Sequence, residues 1–255
     1  MTRAPRPTPS RHDQGQLAFR VWTSGDGEPG TPFVLVHGIG ASHRYLARLH
    51  DALRPHGPVY SVDLPGYGGL PRPDTDVDVE TMSRALGVVL TELGVAGAVV
   101  VGHSMGAQWV VELAVQRPDL AAHVVVIGPV TDEAHRSLAA QAAALAMDSL
   151  GETPRINAIV FTDYLRCGIR WYLLQSRHML AYPIEERVRE LSMPLLVMRG
   201  ERDPIAGLRW CRRLRDEAPV AELVLIPGRY HVAQFSSPGA VAAAILAHVR
   251  TDAVA

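Results

Sequence analysis

Gly102-His103-Ser104-Met105-Gly106 stands between an apolar run, Ala98-Val99-Val100-Val101, and a helical pattern that ends near Arg117-Pro118. A Ser held between two such glycines, after a strand and before a helix, suits a strained turn that lifts a hydroxyl out at the carboxyl end of a sheet. The glycines are needed sterically, because flanking side chains would collide with neighbouring backbone. The helix that follows points its N-terminus at the reacting centre and favours developing negative charge. A serine hydroxyl is a weak nucleophile until a base takes its proton, and that base is expected to be a His held by a carboxylate. On a sheet of this kind the chain order is Ser, acid, His, each at a strand end. Asp203 fits just past Pro194–Arg199 and His231 just past Glu222–Ile226. Glu201 and Asp132 are the rival acids; Asp132 lies four residues beyond Gly128. An oxyanion needs two amide donors. The N–H of Met105, next after the serine, is one; the N–H of Ile39, in His37-Gly38-Ile39-Gly40, is the other. His37 reads as a brace for that loop, His103 as packing within the turn, and Trp109 as packing beneath it.

These residues must be positioned by alternating strands and helices. Strands are expected at 16–23 (strand or hairpin), 33–36, 59–63, 98–101, 123–127, 194–199 and 222–226, with helices near 43–53, 79–93, 208–218 and 238–250. The rhythm pauses between Val130 and Leu191, where the pattern is helical, Ala-rich first and then rich in aromatics and Arg. The reading is a mostly parallel sheet covered on both faces, with a helical insertion between two strands. The expected organisation is a flexible tail at 1–11, a core at 12–129 and 192–255, and a helical cap at 130–191.

Composition excludes several chemistries. The chain has 255 residues and a net charge of −1, and all 25 basic residues are Arg. Without Lys it cannot form a Schiff base on its own side chain, nor use a Lys-dependent phosphate loop or a Ser-Lys pair. Near-neutral charge argues against nucleic acid as a partner. No apolar run suggests a membrane span or a signal peptide. Two cysteines, Cys167 and Cys211, are too few for a disulfide framework, so a cytoplasmic setting is expected.

Four motifs occur in order: His37-Gly38-Ile39-Gly40, Asp63-Leu64-Pro65-Gly66-Tyr67-Gly68, Gly102 to Gly106, and the Asp203/His231 pair. By these the chain resembles the α/β-hydrolases over nearly its whole length. The resemblance implies an eight-stranded, mostly parallel sheet with a cap after the sixth strand, and hydrolysis of carboxylic esters or related acyl bonds such as lactones. It implies no metal and no organic cofactor. Haloalkane dehalogenases and epoxide hydrolases carry Asp where Ser104 stands. Cofactor-free perhydrolases use the same three residues. The ring-cleavage carbon–carbon hydrolases are the nearest alternative: His231-Val232-Ala233-Gln234-Phe235 keeps their Gln and an aromatic but lacks their Trp. A non-catalytic binding protein of the same fold is the remaining alternative. The expected partner is a small-molecule ester or acyl substrate. Candidate substrate contacts are Arg44, Trp171, Arg177 and His178, and an inward-facing cap Arg among Arg155, Arg166, Arg170, Arg177, Arg187 and Arg189 would favour an acidic substrate.

Overall fold

A computed structural model describes residues 6–132 and 136–252. Its eight strands run β1 Thr8–Gln14, β2 Leu17–Ser24, β3 Phe33–Val36, β4 Val59–Asp63, β5 Ala98–His103, β6 Ala121–Ile127, β7 Leu195–Gly200 and β8 Ala221–Ile226. They form one sheet in the order β1-β2-β4-β3-β5-β6-β7-β8. The β1–β2 and β2–β4 pairs are antiparallel and all the others are parallel.

The central strands are continuous apolar runs because both faces are covered. Alternate side chains point to opposite faces. Val34, Val36, Val100, Val124 and Val126 join the core on one face, while Phe33, Leu35, Val99, Val101 and Val125 join the core on the other. Helices α2 (Val79–Glu92), α3 (Gly106–Gln116) and α8 (Leu208–Glu217) pack on the first face. Helices α1 (Ala47–Leu53), α9 (Ala233–Ser236) and α10 (Pro238–Asp252) pack on the second.

Between β6 and β7 lies a helical insertion: α4 Leu138–Gly151, α5 Pro154–Cys167, α6 Ile169–Ala181 and the short α7 Ile184–Arg187. Within 130–191, residues 133–135 lie outside the described residues. The insertion is fastened to the sheet body by buried acids. Glu112 of α3 accepts from Tyr182 Oη at 2.7 Å and from Arg187 Nε at 2.9 Å. Asp163 of α5 accepts from Ser42 Oγ at 2.5 Å and from Arg44 Nη1 at 2.8 Å. Within the insertion itself, Arg136 pairs with Glu185.

One correction falls at the N-terminus. Residues 8–11, expected in a flexible tail, are the first half of β1 and pair with residues 20–23 of β2. β1 is an edge strand with no buried residue, so it lacks the apolar signature by which the inner strands are read. Residues 1–5 lie outside the described residues. Among the described residues no helix is long and apolar enough to cross a membrane.

Candidate active site

Ser104 occupies the turn from β5 into α3. Its φ is +58°, a conformation uncommon for any residue with a Cβ. The turn holds it there: Ser104 N–H donates to Ile127 O at 2.9 Å, and Ala107 N–H donates to Ser104 O at 3.0 Å. A Cβ on Gly102 would strike the Gly106 carbonyl, and one on Gly106 would lie 2.6 Å from Val36 O. Both glycines are therefore imposed by the crossing of backbone at the sheet centre, as the motif anticipates.

Asp203 and His231 follow the adjacent strands β7 and β8, and the structure brings them together. His231 Nδ1 lies 2.9 Å from Asp203 Oδ2. The other oxygen, Oδ1, accepts the N–H groups of Ile205 at 2.8 Å and Ala206 at 3.0 Å. Burial opposes the charge on Asp203, but His231 and the two amides together outweigh it and hold its pKa below the ordinary value. Burial likewise opposes protonation of His231; Asp203, Asp148 and Glu152 together overcome it, and its pKa lies above the ordinary 6.5. The rival acids are elsewhere. Glu201 accepts from Gly228 N–H at 2.8 Å, and Asp132 lies against Gly207.

Ser104 and His231 line one cavity with Gly38 and Ile39 of the loop after β3. A Cβ on Gly38 would come within 2.8 Å of Ser104 Cβ, so this loop passes directly over the hydroxyl. Neither the Ile39 nor the Met105 N–H is engaged in a hydrogen bond among the described residues. His37 braces the loop: its Nδ1 lies 2.8 Å from Gly38 O and its Nε2 accepts from Leu64 N–H at 3.1 Å. Trp109 is fully buried against His37 and Tyr67.

His103 does more than pack. Gly38 N–H donates to Tyr45 Oη at 2.6 Å, Tyr45 Oη lies 2.7 Å from His103 Nδ1, and His103 Nε2 lies 3.0 Å from His231 O. Because the Tyr45 oxygen accepts from Gly38, its own proton goes to Nδ1. His103 then carries its proton on Nε2 and donates to the His231 carbonyl. Burial holds the His103 pKa well below the ordinary value, so the ring stays neutral. This chain ties the loop after β3 to the loop after β8. Tyr45→Phe leaves two buried groups without partners, at a cost of about 1–3 kcal/mol for each. We expect a lower urea midpoint for Tyr45→Phe with an unchanged m-value; an unaltered midpoint would count against the chain.

The four candidate substrate contacts do not line this cavity. Arg44 turns to Asp163. Trp171 is buried against Gly66 and Tyr67. His178 Nε2 pairs with Asp76 at 2.6 Å, outside the cavity. Arg177 is exposed. For Arg177 the reason is helical phase: α6 buries Gln175 and Met179, and Arg177 stands two residues from each, about 200° away around the axis. No Arg at all lines the cavity among the described residues. Its walls are mostly apolar, with Ile39, Leu145, Ile156, Val160, Tyr172 and Met179 prominent, and its polar side chains include Gln141, Asp148, Ser149 and Asn157. Asp148 was not legible as a site residue. It sits on the Ala-rich helix α4 with no motif around it, 83 residues from the His231 N–H that its Oδ1 accepts at 2.8 Å. Gln234 is buried in α9, its amide has no hydrogen-bond partner among the described residues, and it does not line the cavity.

Comparison with known proteins bears on the family and the fold. The model of the alpha/beta hydrolase family matches residues 33–244. The chain is 26% identical to the dihydrolipoyllysine-residue acetyltransferase component of the acetoin cleaving system of Pseudomonas putida, over 96% of this chain and 70% of that protein. It is 26% identical to 2-(acetamidomethylene)succinate hydrolase of Mesorhizobium japonicum, over 89% of this chain and 90% of that one. Against several other curated relatives the chain spans about half their length or less. Among solved structures, N-acyl homoserine lactonase AidH superposes with a TM-score of 0.81 at 17% identity, covering 95% of this chain and 96% of that one. With the family matched from β3 into α10, over residues 33–244, the chain belongs to the alpha/beta hydrolase family.

Proposed function

We propose that the protein is a serine hydrolase that cleaves uncharged carboxylic esters, or related acyl bonds such as lactones, with an apolar acyl group. Ser104 Oγ attacks the carbonyl as His231 takes its proton. Asp203 holds His231 with Nδ1 protonated, so that Nε2 is the basic nitrogen. The N–H groups of Ile39 and Met105 receive the oxyanion. His231 then returns its proton to the departing alcohol, and water, activated by the same His, releases the acid from Ser104. Helices α4 to α6 act as a cap that roofs the acyl group and keeps water from it. The observation that carries the choice of substrate is the cavity lining at Ser104, which is mostly apolar and holds no Arg among the described residues.

Carboxylate-bearing substrates are disfavoured on the same ground. They would face Asp148 with no guanidinium to offset it. The carbon–carbon alternative leans on Gln234, which lies outside the cavity lining. A panel of p-nitrophenyl esters tests the reading. We expect the butyrate to exceed the hemisuccinate, similar in length but ending in a carboxylate, by at least about tenfold in kcat/KM, a factor worth about 1.4 kcal/mol. Turnover of the hemisuccinate equal to or above that of the butyrate would overturn the choice of an uncharged substrate. Hydrolysis of a vinylogous diketone without ester activity would overturn the reaction class.

A further inference from the structure

The last turn of α4 carries two carboxylates, Asp148 and, one residue past the helix end, Glu152. A helix C-terminus is the wrong place for negative charge, because the helix dipole opposes it there. Neither carboxylate is paired with an Arg among the described residues. Both are engaged with the loop that carries His231. Asp148 Oδ1 accepts the N–H of His231 at 2.8 Å, and Glu152 Oε1 accepts the N–H of Val232 at 3.1 Å. Tyr230, the residue before His231, places its ring where a side chain on Gly151 would sit. Three consecutive residues, Tyr230 to Val232, are thus docked on one helix end, and Asp148 also lines the cavity beside Ser104. Burial pushes the Asp148 carboxyl above the ordinary range, and the His231 charge and amide act against that rise.

From this placement we propose that Asp148, supported by Glu152, is a positioning residue for the proposed reaction: it fixes the backbone of His231 and adds a second negative charge that favours the imidazolium formed when His231 takes the Ser104 proton. The inference rests on the reading of Ser104, Asp203 and His231 given above. The charged and titratable groups facing His231 are Asp203 from the loop after β7, His103 from β5, and Asp148 and Glu152 from α4. His103 is neutral, so the two insertion acids are the charges that act besides Asp203.

The sign of the effect follows. His231 must be unprotonated to act as a base, so reactivity falls as pH falls through its pKa. Removing a nearby negative charge lowers that pKa and moves the acid limb to lower pH. Asp148→Asn removes the charge but keeps an oxygen to accept the His231 N–H; Asp148→Ala removes both.

The experiment measures the rate of fluorophosphonate labelling of Ser104 against pH, alongside kcat and KM for a neutral ester. We expect the acid limb of Asp148→Asn to lie below that of the wild type by half a pH unit or more. Glu152→Gln should move it in the same direction by less. Asp148→Ala should lose tenfold or more in kcat with little change in KM, and Asp148→Asn should recover most of that loss. An acid limb for Asp148→Asn that coincides with wild type, moves to higher pH, or is unmeasurable because the variant is unreactive overturns the assignment. Absence of labelling in the wild type would instead overturn the proposed function itself. The Asn variant is nearly isosteric and decides the matter even if Asp148→Ala fails to fold.

Discussion

Ser104→Ala is expected to abolish ester turnover, with kcat lower by a factor on the order of 10⁶ and folding intact. No other group in the cavity can replace the hydroxyl. Ser149 also lines it, but its hydroxyl lies on α4, bonded to Leu145 O at 2.9 Å. The thiols of Cys167 and Cys211 are buried, and burial pushes both up to about 12, so neither presents a thiolate near neutral pH. The fold should tolerate the change, because Ala has the same Cβ as Ser and meets the same backbone strain at φ +58°. Among the described residues Ser104 Oγ makes no hydrogen bond to another protein group, so folding loses no partner with it. The measurement is hydrolysis of p-nitrophenyl butyrate together with fluorophosphonate labelling, with circular dichroism to verify the fold. Residual hydrolysis above 1% of wild type in a well-folded variant would sink the acyl-enzyme mechanism.

The parts of the candidate site legible in the sequence are those governed by local rules. Ser104 is readable because a turn between a buried strand and a helix can be closed only by glycines where the backbone crosses itself, and this leaves a fixed pentapeptide. Asp203 and His231 are readable because parallel strands all end at one edge of the sheet, so residues just past two neighbouring strands must meet. The roof was not legible. Whether Arg177 or Tyr172 enters the cavity depends on the rotation of α6 about its own axis, and both stripes of that helix carry aromatic or long polar residues. Asp148 and Tyr45 are further examples. Their contacts with His231 and His103 join residues 83 and 58 positions apart, and no local pattern encodes that distance.

The exclusive use of Arg acquires a structural meaning from these contacts. Arg187 ties α7 to Glu112, Arg44 ties the loop after β3 to Asp163 of α5, and Arg199 donates to the carbonyls of Asp203 and Ala206 at 2.8 and 2.7 Å. The planar fork of a guanidinium can hold two acceptors at once, which an ammonium does with less geometric control. The Arg of the insertion attach it to the body, pair within it or face solvent, and the cavity is left with Asp148 as an acidic side chain. On the proposed function, such a cavity would discriminate by excluding negative charge rather than by capturing it, which would link the attachment of the insertion to the choice of an uncharged substrate.

Asp203→Asn should lower kcat on the order of 10⁴-fold with little effect on KM, for a reason specific to how Asp203 is held. Its Oδ1 already accepts two backbone N–H groups, those of Ile205 and Ala206. The Asn oxygen must take that place, since an amide nitrogen there would face two donors. The Asn nitrogen is then left opposite His231 Nδ1, where Asp203 Oδ2 stood at 2.9 Å. Nδ1 becomes the acceptor and the ring proton moves to Nε2, the nitrogen that should take the Ser104 proton. The variant thus keeps its geometry and loses its base. The loss of the carboxylate also removes a charge that raises the His231 pKa, so the imidazolium that forms during attack is less favoured. Steady-state kinetics measures the loss, and nitrogen NMR of the imidazole distinguishes the tautomers. A variant within tenfold of wild type, or one whose His231 still carries its proton on Nδ1, would place the orienting acid elsewhere, with Asp148 the next group to test.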